Sequence, residues 1–363
     1  CRLTANVVST NSFADFDADL AATFRNRGYQ WDLSTDIYEL DLMTMGLSKT
    51  PMHGRATLYS TGSYYPKSGD IDAELELNGV DWTADSLDIS FPMLTAKLNS
   101  TDSLTEASLV SGDFNAALTA MTSMTDVVKR LTAASDILTW QINERKVNVD
   151  SLQRALPEMT FSADMGTENP VMKFLADNAK MKMNRASLEF ANDSLLSVHF
   201  DADGFSTGST RLDNISFYAN QHGKYLVYKA TINNNPGTMD DFAHVALNGF
   251  VADDKISAFF RQSNISGEQG FFFGVNASVS DSTVAVRLVP AKPTIAYKKW
   301  SINPDNLIAY NFVERHLDAN LKVMSDSSSL HIYTEHPAVT DSLHRHDLSL
   351  IHISEPTRQA EIS

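Results

Sequence analysis

The sequence predicts a mainly β protein, a long antiparallel meander with a few short helices around residues 123–178. Three observations predict it. Between residues 197 and 333 apolar and polar residues alternate in one short run after another. Val198, Phe200 and Ala202 alternate with His199, Asp201 and Asp203, and Phe271, Phe273, Val275, Ala277 and Val279 repeat the pattern. So do Val284, Val286 and Leu288, and then Leu317, Ala319, Leu321 and Val323. A period of two sends such sets to opposite faces of a sheet. The links between runs are short and turn-rich (Asp203-Gly204, His222-Gly223, Asn233 to Gly237, Asp253-Asp254), which implies hairpins. Finally, Asp72, Glu74 and Glu76 oppose Ile71, Ala73, Leu75 and Leu77, the signature of a sheet wetted on one side only.

The elements follow in order. Strand-like runs occupy 56–60, 71–77, 87–91, 93–98 and 114–118. The period then changes: Val127, Leu131, Ala134, Leu138 and Ile142 step by three or four, which predicts a helix over 124–144. Ser123 is its expected N-cap, with Asp126 completing a variant capping box. A second helix is expected over 151–156, capped by Asp150 and stopped by Pro157. A third opens at Asn169-Pro170, a cap followed by proline in the first turn, and carries Val171, Met172, Phe174 and Leu175. From residue 180 strands return about every 10–15 residues, and Asn303-Pro304-Asp305-Asn306 reads as a type I turn. The expected organisation is a β segment over 1–122, a helical insertion over 123–178, a second β segment over 179–340 and a linker over 341–347.

The last stretch, LSLIHISEPTRQAEIS (348–363), resembles the translation of a transposase-type sequencing adapter and is expected to lie outside the native fold. Cys1 is the only cysteine and the chain lacks an initiator Met. Either Cys1 is the acylated end of a lipoprotein or the reading frame is cut there. The adapter favours the cut, and a signal or anchor segment upstream of it would fall outside this sequence.

Composition narrows the function. A formal net charge of −16 without a basic stripe disfavours nucleic acid, whose phosphates need neutralising. One cysteine excludes an internal disulfide and a cysteine-rich zinc site. Asp-Ser-Leu or Asp-Ser-Thr recurs at Asp85, Asp102, Asp150, Asp193, Asp281 and Asp341. These read as turns in which Asp and Ser bond their own backbone, or as O-glycosylation acceptors of the Bacteroidota envelope type. His331 and His336, with Glu335 between them and His344 and His346 beyond, fall on a strand and its exit, whereas helical metal sites use His at a spacing of four. Asp240-Asp241 and Asp253-Asp254 are adjacent in turns, whereas glycosidase carboxyls face one another across a cleft. With no phosphate loop and no nucleophile elbow, the expectation is a non-enzyme without cofactor or metal. Phe271-Phe272-Phe273 is expected to be a strand partly buried on both faces, or an apolar wall open to lipid.

Three stretches then carry a family resemblance. Residues 221–293, QHGKYLVYKATINNNPGTMDDFAHVALNGFVADDKISAFFRQSNISGEQGFFFGVNASVSDSTVAVRLVPAKP, are followed by TIAYKKWSINPDNLIAYN (294–311). With ALPEMTF (155–161) they resemble TamB-like proteins of Bacteroidota, the translocation and assembly module branch of the AsmA-like superfamily. The resemblance spans about residues 100–340 and carries no catalytic residues to transfer. It implies a periplasmic β-sheet folded into an open trough, anchored to the inner membrane by a segment outside this sequence and reaching toward the outer membrane. It also implies outer-membrane assembly beside a TamA-like barrel partner, with phospholipid acyl chains as cargo. Candidate lining residues are Phe200, Leu247, Phe260, Phe273, Val275, Val286, Leu288 and Leu321. The alternative is a surface adhesin or glycan-binding β-solenoid, suggested by Asn/Ser-rich strands and acidic charge.

Overall fold

The computed structural model describes residues 1–25, 27–85, 87–235, 243–326 and 328–334, with the backbone of 352–354. Pro236, Gly237, Asp240, Asp241, Glu335, His336, Asp341, His344, His346 and most of the 348–363 stretch lie outside the described residues. The protein is mainly β, as expected: among the described residues the strands form an open antiparallel sheet with three helices. Two compact units emerge, one comprising 1–136 and 152–216, the other 137–151 and 217–363.

The first unit begins with long hairpins: β1 (Arg2–Asn11), β2 (Ala14–Arg25), β3 (Gly28–Asp41), β4 (Met52–Tyr65), β5 (Asp70–Ala84) and β6 (Leu87–Ser100). The shorter β7 (Thr105–Ser111) and β8 (Phe114–Ala120) follow. The two runs read as 87–91 and 93–98 are one strand, β6, continuous through Pro92. Proline offers no N–H to a ladder. Its neighbours Phe91 and Met93 pair with Val80 and Asn78, and Gly79 between those partners takes a positive φ of 57°, so the ladder skips at this point. The pairing with β7 begins only at Thr95.

Helix α1 (Met124–Asn143) starts where the change of period predicts. Ser123 Oγ accepts from Asp126 N at 3.3 Å, but the Asp126 carboxylate turns to the Thr122 hydroxyl, so the box is not reciprocal. Helix α2 (Val149–Ala155) opens earlier than expected, and its cap is Asn148. Asn148 Oδ1 accepts from Ser151 N at 2.7 Å, while Asp150 accepts from Gln221 Nε2 at 3.0 Å. After β9 (Met159–Met165) comes α3 (Pro170–Asn178), with Asn169 as N-cap accepting from Met172 N at 2.8 Å. Then follow β10 (Met181–Lys182), β11 (Arg185–Asn192), β12 (Leu196–Thr207) and β13 (Thr210–His222). The expected turn at Asp203-Gly204 lies inside β12. Gly204 at φ 65° bends the strand instead, and a Cβ there would strike the Asn184 amide.

The second unit continues with β14 (Tyr225–Asn233), β15 (His244–Ala252), β16 (Lys255–Ser263), β17 (Gln269–Val279) and β18 (Thr283–Ile295). Next come β19 (Lys298–Lys299), β20 (Ser301–Ile302), β21 (Leu307–Asn311), β22 (His316–Met324) and β23 (Ser329–Tyr333). The turn at Asn303–Asn306 closes as expected, with Asn306 N donating to Asn303 O at 3.1 Å. His352–Ser354 forms β24, paired along β23. In this unit residues 145–150 run across four hairpin ends. Arg145 stacks 4.5 Å over Phe312, and Lys146 pairs with Asp281 at 3.0 Å. Val147 N donates to Asp253 O at 3.1 Å, and Asp150 meets Gln221 beside the β13–β14 turn.

Candidate functional site

Residues paired across an antiparallel ladder share a face, so the registers show which side chains assemble into one surface. In the second unit Ala230, Leu247, Phe260 and Phe273 form one row across β14–β17. The next runs Tyr228, Gly249, Ala258, Val275 and Leu288, and another runs Leu226, Val251, Ile256, Ala277, Val286, Ile308 and Ala319. Leu321, two residues beyond Ala319 on β22, shares its face and pairs with Ile332. Seven of the eight lining candidates therefore lie on one apolar face. No charged side chain enters these rows. Tyr228 sends its hydroxyl to Ser257 O at 3.0 Å, and burial pushes that phenol's pKa up.

The face is not uniformly covered. Leu247 is 40% exposed, and Phe260, Phe273, Val275, Val286 and Leu288 are half-buried. Phe260 touches both Phe273 and Phe271, with ring centroids 5.5 and 6.4 Å apart. Leu321 is 5% exposed and forms a closed cluster with Ile302 and Val323, against which Leu288 and Trp300 pack. All three phenylalanines at 271–273 are half-buried, Phe272 on the opposite face beneath the Arg261 guanidinium at 5.0 Å. That agrees with a strand partly buried on both sides.

Phe200, the eighth candidate, belongs to the first unit. It pairs with Leu188, which pairs with Ala163. It packs against the cluster of Met172, Met183, Ala186 and Ala202, where Met172 comes from α3, so a helix lies over this part of the apolar face. A second cluster joins Val127 of α1 to Ala120 and Met159, with Leu118, Phe161 and Phe190 against it.

The registers also align Phe200, and Leu75 of the alternating 71–77 run, with residues that the sequence reading did not select. Ala5, Leu20, Leu33, Ser60, Leu75, Ala96, Leu109, Ala116, Ala163, Leu188 and Phe200 make one row across the first unit. Beside it Trp31 lies over Gly62, where a Cβ would collide with the indole, while Nε1 bonds Ser60 Oγ at 3.0 Å. Alternation was the available signal, but Ala, Ser and Thr on both faces of β1–β4 dilute it. His199 binds Asp201 at 2.7 Å on the polar face. The described residues hold no group of three or more His, Cys, Asp or Glu side chains suited to a metal. Among them no helix is long and apolar enough to cross a membrane. No protein-family model, curated protein or solved structure matches the chain.

Proposed function

We propose that the protein is a non-catalytic lipid conduit and outer-membrane assembly scaffold of the TamB/AsmA type, acting in the periplasm. The reading is supported above all by the second unit's apolar face, which is free of charge across its rows yet only half-buried. Exposing an acyl chain of roughly 14 methylenes to water costs about 11 kcal/mol at ~0.8 per methylene. A one-sided sheet lowers that cost by offering a continuous apolar bed, while its other face keeps the protein solvated. Phospholipid acyl chains would lie along Leu247, Phe260, Phe273, Val275 and Leu288. The membranes and a TamA-like barrel partner would be met through segments outside this sequence.

Photo-crosslinkable residues placed at 273 and 288 in cells test the reading. Phospholipid is expected on those positions and not on 276 or 287, which point to the opposite face. Equal labelling of both faces would remove the basis for a conduit.

A further inference from the structure

The opposite face of the second unit has a different chemistry. Two neighbouring hollows of about 590 and 510 Å³ share Phe250, Ser257 and Phe259. Lys229, His244 and Arg261 line the first, Lys255 and Arg287 the second, and none of the described residues lining them is acidic. This is notable in a chain of net charge −16. Among the described residues Lys229, Lys255 and Arg261 form no ion pair with a carboxylate, whereas Arg287 donates to Asn306 O at 3.0 Å and its charge also reaches the Asp305 carboxylate; the Lys ion pairs of this unit belong to Lys146 and Lys224. Unpaired cations gathered on one surface raise the local concentration of anions. Burial, with the nearby charges of Lys229 and Arg261, also holds His244 below its ordinary pKa of 6.5, as a positive local field requires.

We propose that these joined hollows bind a short acidic oligosaccharide, its carboxylates on the cations and its rings on Phe250 and Phe259. From Lys255 to Arg261 along β16 is roughly 20 Å at about 3.4 Å per residue, room for a few sugars. Exposed Asn248 and Asn276 supply the hydrogen-bonding rim that sugar hydroxyls use, and the buried Ser257 hydroxyl orients Asn276 by donating to its Oδ1 at 2.7 Å. An acyl chain would fit poorly here, because Lys, Asn, Arg and Ser interrupt the apolar residues of this face. A long nucleic acid strand would outrun the basic patch and meet the acidic remainder of the chain. The hollows also touch Tyr228, Gly249, Ile256 and Ala277 of the apolar rows, but every cation that lines them alternates onto the opposite face, so the site does not depend on the lipid reading.

Titration of the full chain with tetragalacturonate, followed by calorimetry, tests it. Binding is expected to weaken at least tenfold in Lys229→Ala/Arg261→Ala, and by a similar factor in Asn276→Asp, which adds a negative charge without truncating the wall. Circular dichroism and the urea midpoint report whether each variant stays folded, and if the double variant does not, Asn276→Asp carries the test. Higher salt should weaken binding, and neutral maltotetraose should bind at least tenfold more weakly. No binding of tetragalacturonate, equal binding of maltotetraose, or unchanged affinity in folded Asn276→Asp would each overturn the proposal. So would binding of phosphatidylglycerol vesicles, oligothymidylate or inorganic phosphate in place of the sugar.

Discussion

Phe200 and Phe273 look alike in the sequence, each an aromatic in an alternating run, but their surroundings differ. Phe200 lies in the first unit against Met172 of α3 and the Met183–Ala186–Ala202 cluster. Phe273 lies in the second unit beside Phe260, in a row that includes the 40% exposed Leu247. Alternation decides which face a residue occupies. Whether that face is covered depends on where a helix lands, and this requires contacts distant in sequence. The first unit uses part of its apolar face as core, while the second leaves much of its own only half-buried.

Energetics can break this contrast. Met172 is 4% exposed, so Met172→Ala should destabilise the first unit by about 3 kcal/mol, combining lost burial with a cavity. Leu247→Ala should cost under about 1 kcal/mol, as expected of a surface change. Urea unfolding of both variants measures the gap, and equal losses would mean the second face is sealed after all. A smaller effect belongs to the cap that holds α3 in place. Asn169→Ala removes the bond from Met172 N and the 2.6 Å contact with Asp113, and should cost about 1 kcal/mol.

Two pH effects sharpen the same comparison. Burial pushes the Asp113 carboxyl up, but hydrogen bonds from Asn169 and the backbone at Glu168, Gly166 and Thr167 outweigh it and hold the pKa below 3.8. A carboxylate with a depressed folded pKa stabilises above its unfolded value and loses that contribution as pH falls through the folded one. Acid unfolding of the first unit should therefore begin below about pH 3.8, and less steeply in Asp113→Asn. The smallest effect is at His244 in the second unit. Its folded pKa lies below 6.5, so its neutral form stabilises above pH 6.5 and the contribution fades as pH falls through the folded value. Imidazole NMR should show that value rising when tetragalacturonate binds, since an anion offsets Lys229 and Arg261.

Much of the fold was legible because its signals are local. The period of two in β17, β18 and β22, the shift of period in α1 and the Asn169-Pro170 start of α3 are each set by residues adjacent in sequence. The misreadings share a cause. Pro92 and Asp203-Gly204 are punctuation that ordinarily ends a strand, but here a positive φ, at Gly79 across the ladder or at Gly204 itself, lets the strand continue. The cap of α2 went to Asn148 because Asp150 is drawn to Gln221, a partner 71 residues away. For the site, alternation placed seven candidates on one face. It could not reveal the row through Leu20, Leu33 and Leu75, which becomes visible only once the registers align short, diluted runs.

The belt formed by residues 145–150 has a mechanical consequence. At this end of the ribbon the turns join only the two strands within each hairpin, so neighbouring hairpins are held to one another by ladder bonds alone. Here one peptide fastens successive loops through a cation over Phe312, an ion pair to Asp281, a main-chain bond to Asp253 and a carboxylate to Gln221. Peeling any one hairpin from this end must also undo a rivet on the belt, so cutting the belt between Arg145 and Asn148 should let all the loops fray together.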